Sequence, residues 1–272
     1  MVDFDVAHSV YPGGGSFFNG FKPGAFMEYS PAYVATNEDI RGAIKIVNPK
    51  NKNVLITTGS GDGPIFYRIY GAKNVDSFDI SYCAKAIMDM KVSALRRMDL
   101  NQYACLLYDL HWAKSFGQFQ SVIDGCPIET QDFIRNMNGC RIFHNGSGID
   151  KESLPNGKEY SRMKKGVAAP MPFIWSDLGD LSTKLTKVYD IIYLSNIFQY
   201  VSDKNDILRI LNCLKPYLAV GGHIMVHSTW FFGDVEINNY KWVAQQIKQW
   251  GRLYQTENKR GDNQYMFLQR TR

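Results

Sequence analysis

The chain has 272 residues, 45% of them hydrophobic, with 31 Lys and Arg against 26 Asp and Glu, and so can bury the core of one large α/β domain or of one domain with an insertion. The basic excess is scattered without a basic run, so nucleic acid is not the default partner. No apolar run is long enough to cross a bilayer. Cys83, Cys105, Cys126, Cys140 and Cys213 form no CxxC pair and stand near no histidine cluster, which argues against a metal site and a disulfide framework; with no signal-peptide pattern at the N-terminus, a soluble cytoplasmic protein is expected.

Residues 1–47 read as an N-terminal arm and a helix. The arm ("YPGGGSFFNGFKPGAFMEYS") is rich in aromatics that need burial, and it is a candidate lid. "NEDIRGAIKIV" places Ile40, Ala43, Ile44 and Val47 at helical spacing, with Asn37 as the expected N-cap. "NVLITT" is a β-branched run that predicts a strand. "GSGDG" follows it, and "PIFYRIYGA" reads as the next helix, ended by Gly71. "NVDSFDIS" predicts a second strand ending in an acid, and "YCAKAIMDMKVSALRRM" an amphipathic helix. Strand, glycine turn, helix and strand open a doubly wound parallel sheet.

Residues 99–170 interrupt this rhythm and predict a helical and loop insertion that shapes the acceptor site. Within it, "LNQYACLLYDLHW" and "ETQDFIRNMNGC" read as helices and "HNGSGIDKESLPNGKEYSRMKKG" as a long loop. The alternation resumes with "FIWSDLGDL" (third strand and turn) and "YDIIYLSNIF" (apolar central strand). "KNDILRILNCLKPYL" is a helix, "GGHIMVHST" a fifth strand, "NNYKWVAQQIKQWG" a helix, and the last stretch a hairpin. The expected fold is a single α/β domain over 1–272. Its mostly parallel seven-stranded sheet is of the kind found in class I S-adenosylmethionine-dependent enzymes, with an antiparallel final strand.

Gly59, Gly61 and Gly63 form GxGxG directly after a strand, where small residues let a cofactor approach the backbone and a helix N-terminus offers free N–H groups. Alone the pattern fits a nicotinamide enzyme, or a bare turn, equally well. Asp79 strengthens it, because a carboxylate ending the second strand can accept both ribose hydroxyls; the alternative is a helix cap. Asp177, after the third strand, is placed to meet an adenine amino group, or is a solvated turn acid. Trp175 stacks on adenine or fills the core. Polar residues after the buried fourth strand face the cleft, so Ser195, Asn196, Gln199 and Tyr200 are candidates for holding the cofactor's amino-acid end or the acceptor. His227, ending the fifth strand, is the candidate general base, with Tyr200 and Asn196 as further catalytic candidates. Tyr29, Tyr33 and Tyr103 either line the acceptor pocket or belong to the core.

"VLITTGSGDG" resembles the first motif of the 3-amino-3-carboxypropyl transferases of betaine-lipid synthesis, which carry Ser-Gly-Asp in the loop and lack the usual methyltransferase acid upstream. Ser60, Gly61 and Asp62 stand in those places, and Thr57 stands where the acid would be. "VDSFDISYCAKAIMDMKVSALRRMDLNQYACLL" and "LSNIFQYVS" are similar to two further stretches of that family, and the resemblance covers roughly residues 28–110 and 173–228. It implies S-adenosylmethionine as substrate, bound by Gly59 to Gly63 including Ser60 and Asp62, by Asp79 with Ile80, by Asp177 with Leu178, and by Ser195 and Asn196. The implied reaction moves the 3-amino-3-carboxypropyl group to a small-molecule or lipid-headgroup acceptor and releases 5′-methylthioadenosine, without a metal. The alternatives from the residues themselves are a small-molecule methyltransferase, an intramolecular cyclisation of S-adenosylmethionine, and a subunit that binds the cofactor without turnover.

Overall fold

Val54, Leu55 and Ile56 are wholly buried in β1 (Asn53–Thr57). Three consecutive buried β-branched or aliphatic residues mean that both faces of this strand are covered, as in the middle of a parallel sheet. β1 pairs in parallel with β2 (Asn74–Asp79) on one side and β4 (Tyr189–Tyr193) on the other. β5 (Leu218–Ser228) extends the sheet in parallel beyond β4. β7 (Gln264–Arg270) runs antiparallel to β5 and to β6 (Gly251–Glu257). With β3 (Phe173–Trp175) at the far edge, the seven-stranded sheet has the order β3-β2-β1-β4-β5-β7-β6, the mostly parallel arrangement with one reversed strand expected from the sequence.

This computed structural model describes residues 33–36, 38–112, 119–137, 149, 154–167, 170–201, 203–228, 242–243, 245–257 and 264–272. They fall into two compact units, one containing 58–65 and 79–171 with the segment before 38, the other containing 38–57, 66–78 and 172–272.

The second unit holds the sheet. α1 (Ile40–Val47) buries Ile40, Ala43, Ile44 and Val47, the four positions of its apolar spacing. Its N-cap is Asp39, whose Oδ1 accepts the Gly42 N–H at 2.8 Å; Asn37 lies outside the described residues. α8 (Leu181–Lys184) and α9 (Lys204–Leu214) pack one apolar cluster on the sheet, with Leu181, Ile207, Ile210 and Leu214 against Leu55, Ile192, Ile224 and Leu268. Burying side chains of this size contributes about 1.5–3 kcal/mol each before entropy is counted. Asp76, deep in β2, is satisfied by the Tyr189 hydroxyl at 2.8 Å and the Lys187 ammonium at 2.9 Å. The helix expected over "NNYKWVAQQIKQWG" lies partly outside the described residues; 242–243 and 245–246 are helical.

The first unit is helical around α3 (Tyr82–Arg97), in which every residue from Cys83 to Leu95 is buried. Ser81 caps its start by accepting the Cys83 N–H. α3 packs against α5 (Gln120–Ile123), α6 (Ile128–Asn136) and α7 (Gly157–Gly166), and α4 (Leu100–Trp112) follows α3 in the chain. α7 corrects the reading of a long loop over this stretch. Its N-cap, Asn156, accepts the Lys158 and Glu159 N–H groups at 3.0 Å each, and Glu159 returns a bond to the Asn156 N–H, a complete capping box. α2 (Asp62–Ile69) begins directly at the glycine loop.

Candidate functional site

The first unit carries the glycine loop. Gly59 and Gly61 both take positive φ, +51° and +80°. Among the described residues, a Cβ placed at Gly59 meets nothing within 4 Å. Gly61 differs, because a Cβ there falls 2.8 Å from Met88 Cα and 2.9 Å from Met88 Cβ, so this glycine lets the loop lie on α3. Gly63 is buried in the first turn of α2. Asp79 sits where the sequence places it. Its Oδ2 accepts the Gly59 N–H at 2.9 Å, and its Oδ1 accepts the Ser81 N–H at 3.0 Å. Burial pushes this carboxyl from 3.8 up to about 6, against the pull of the Ser81, Gly59 and Ile80 amides. A carboxylate has roughly four acceptor sites, so beside these amides it keeps room for a hydroxyl donor. The glycine bend thus lies beside a fixed carboxylate.

Ser60 and Asp62 are engaged inside the loop. The Ser60 hydroxyl donates to Asp62 Oδ2 at 2.9 Å, and the Thr36 N–H donates to the same oxygen at 2.8 Å. Lys91, wholly buried in α3, donates to Asp62 Oδ1 at 2.5 Å. Burial lowers the Lys91 ammonium, and Asp62 pulls it back up. These side chains fix the loop's shape through an ion pair withdrawn from water. Tyr103 is buried at 1% exposure with its ring 5.5 Å from Tyr160, the packing of a core aromatic, and its hydroxyl has no hydrogen-bond partner among the described residues. Burial raises that hydroxyl well above its ordinary value.

The second unit carries a different cluster, at the carboxyl ends of β4 and β5. Ser195 directly follows β4 and its φ of +56° is left-handed, a conformation costly for a residue with a Cβ and concentrated at functional sites. Its carbonyl accepts the His227 N–H at 2.8 Å, tying the two strand ends together. Its hydroxyl donates to Glu38 Oε1, and the Tyr193 hydroxyl donates to Glu38 Oε2 at 2.6 Å. The His227 imidazole is fully buried, with Nδ1 3.7 Å from Glu38 Oε1 and its ring 5.1 Å from that of Tyr265. Burial raises the hydroxyls of Tyr193, Tyr67 and Tyr265, and the Glu38 charge adds to each. Asn196 Oδ1 stands 3.3 Å from the Ser195 hydroxyl, a weak contact.

No protein-family model matches the chain, and no curated protein matches it. Among solved structures it is similar to an rRNA methylase from Streptococcus thermophilus, at 8% identity over 87% of this chain and 98% of that one, with a TM-score of 0.46. It is similar also to a ribosomal protein L11 methylase from Lactobacillus delbrueckii, at 12% identity, 86% and 77% coverage and a TM-score of 0.45. A third is the N-methyltransferase NodS from Bradyrhizobium japonicum, at 9% identity, 87% and 90% coverage and a TM-score of 0.43. At such distances the fold stands on the strand order alone.

The other sequence-derived positions divide. Asp177 is exposed and accepts the Asp180 N–H at 2.9 Å, so it closes a turn. Leu178 packs against the apolar cluster of the second unit. Trp175 is partly buried, and its carbonyl accepts the Lys184 ammonium at 2.5 Å. Tyr33 is partly buried. Gln199 and Tyr200 belong to the short 3-10 turn Ile197–Tyr200, and what was expected of their side chains lies outside the described residues, as does Tyr29. Among the described residues no group of His, Cys, Asp and Glu is disposed to hold a metal, and no helix is long and apolar enough to cross a membrane.

Two central residues were not foreseen. Glu38 was visible only as one acid of a pair before α1. Lys91 stood in the sequence as a lone cation amid "AIMDMKVSAL", a signal that its charge needed a buried partner.

Proposed function

We propose that the protein is an S-adenosylmethionine-dependent transferase. The observation that carries this is Asp79, ending the second strand of a sheet of this order and fixed by the Gly59 N–H beside the glycine bend. On this reading Asp79 accepts a ribose hydroxyl and the bend at Gly59 admits the nucleoside backbone, as that carboxylate's position in such folds favours. Bound there, the sulfonium supplies carbons open to nucleophilic attack. Within the second unit, His227 is the candidate base for the acceptor's proton, and Ser195 and Asn196 stand beside it after β4.

Methyl transfer to a small molecule is the first reading, and the pairing of the Gly59 bend with Asp79 serves it. Transfer of the 3-amino-3-carboxypropyl arm is the second. The loop favours it: Ser60, Gly61 and Asp62 are present, and Thr57 stands where methyltransferases usually carry an acid. A small-molecule or lipid-headgroup acceptor suits either reading.

Incubation of the purified protein with S-adenosylmethionine and a metabolite and lipid extract, followed by mass spectrometry, separates these readings. S-adenosylhomocysteine formed together with a methylated product establishes methyl transfer. Acceptor-dependent 5′-methylthioadenosine establishes transfer of the amino-acid arm. Absence of cofactor binding by calorimetry would sink both.

A further inference from the structure

We propose that Glu38 is a positioning residue for His227, holding the imidazole as its Nδ1–H tautomer so that Nε2 is left to accept a proton. The inference rests on the reading of His227 as a base. The imidazole is fully buried, yet neither ring nitrogen has a hydrogen-bond partner among the described residues. A buried polar group with nothing to bond is costly, and one aimed at a functional cluster points to a ligand. The charged group beside it is Glu38, whose Oε1 is 3.7 Å from Nδ1, within ion-pair reach.

Glu38 cannot easily leave this position. Tyr193 holds one oxygen and Ser195 the other. Ser195 is fixed in a left-handed backbone conformation, with its carbonyl bonded to the His227 N–H. Among the described residues, Tyr67, Tyr193 and Tyr265 also feel the Glu38 charge, and burial raises all three hydroxyls. A carboxylate accepts and does not donate, so the ring nitrogen turned toward it is the one placed to carry the hydrogen, which leaves Nε2 to accept.

The transfer step then balances. The acceptor's lone pair forms a bond to a carbon next to sulfur. The sulfur–carbon pair returns to sulfur, and the acceptor proton goes to Nε2. The positive charge lost by sulfur reappears on the imidazole ring, next to the Glu38 carboxylate.

The test is a long-range proton–nitrogen spectrum of protein labelled with 15N-histidine, with His227 assigned by its loss in His227→Gln. Wild type is expected to show a protonated Nδ1 and an unprotonated Nε2 for His227, and Glu38→Gln to lose that preference. An Nε2–H tautomer in wild type, or unchanged tautomers in Glu38→Gln, overturns the proposal. The wild-type spectrum alone decides if Glu38→Gln does not fold. The spectrum needs no turnover, so its failure is distinct from failure of the transferase reading, which shows as absence of any nucleoside product. Where turnover is measured, Glu38→Gln is expected to lower kcat about tenfold or more with KM for S-adenosylmethionine nearly unchanged. A loss confined to KM, or none, also overturns it.

Discussion

Replacing Asp79 by Asn removes the carboxylate charge while keeping the side chain's size. Wild-type Asp79 has its carboxyl raised from 3.8 to about 6 because burial disfavours the ion. That displacement corresponds to roughly 3 kcal/mol against ionisation. The sign follows: the folded protein keeps this proton to higher pH than the unfolded chain, so this group's contribution to stability is full below about pH 4 and falls as pH rises through about 6. Ribose hydroxyls donate, and they bond best to the ionised form. With the midpoint at about 6, the ionised fraction grows from about a tenth at pH 5 to about nine-tenths at pH 7, so cofactor affinity should rise about tenfold over that interval. Asp79→Asn should lower affinity at pH 7 by at least about tenfold, from the loss of charge-assisted hydrogen bonds, and should flatten the pH dependence. Calorimetric titration with S-adenosylhomocysteine at several pH values from 5 to 8 measures both quantities. Equal affinity in the two proteins with a flat wild-type profile would refute the ribose assignment.

Lys91→Met leaves the Asp62 carboxylate buried without its cation and should cost about 3–5 kcal/mol, read as a lower thermal midpoint; adding Asp62→Asn should recover much of it. If Lys91→Met is as stable as wild type, the ion pair does not hold the loop. Gly61→Ala pushes a methyl group into the Met88 backbone and occupies a left-handed φ, so urea unfolding should show a loss of about 1–3 kcal/mol. An unchanged urea midpoint would mean that the loop can move off α3 at no cost.

The sheet was legible because its strands are short apolar runs between turn residues, and the run "VLI" declares burial on both faces. The capping box of α7 was also in the sequence, as Asn156 and Glu159 three residues apart. Its surroundings, rich in Gly, Ser and Asn, outweighed it in the reading of a loop. The site was legible where one local stretch makes it: the loop and Asp79 lie within a single strand–turn–helix–strand run. It was illegible where distant stretches meet. Glu38 and Ser195 are 157 residues apart, and no local pattern couples a carboxylate before α1 to a hydroxyl after β4. Ser60 and Asp62 were read as cofactor contacts from their place in the loop. Their engagement with each other, Lys91 and Thr36 depends on the helix packed beneath them.

The order of the last strands bears on how the chain is made. β6 is synthesised before β7 but bonds to the sheet through it. As it leaves the ribosome, β6 therefore has an unpaired edge and nothing in the sheet to pair with, while β5 waits with its own edge bare. Both are covered when β7 arrives and slots between them. Until then two open edges coexist in one nascent chain, the condition under which strands pair with the wrong neighbour. Emergence of β7 is thus the step that joins β5 and β6 into one sheet.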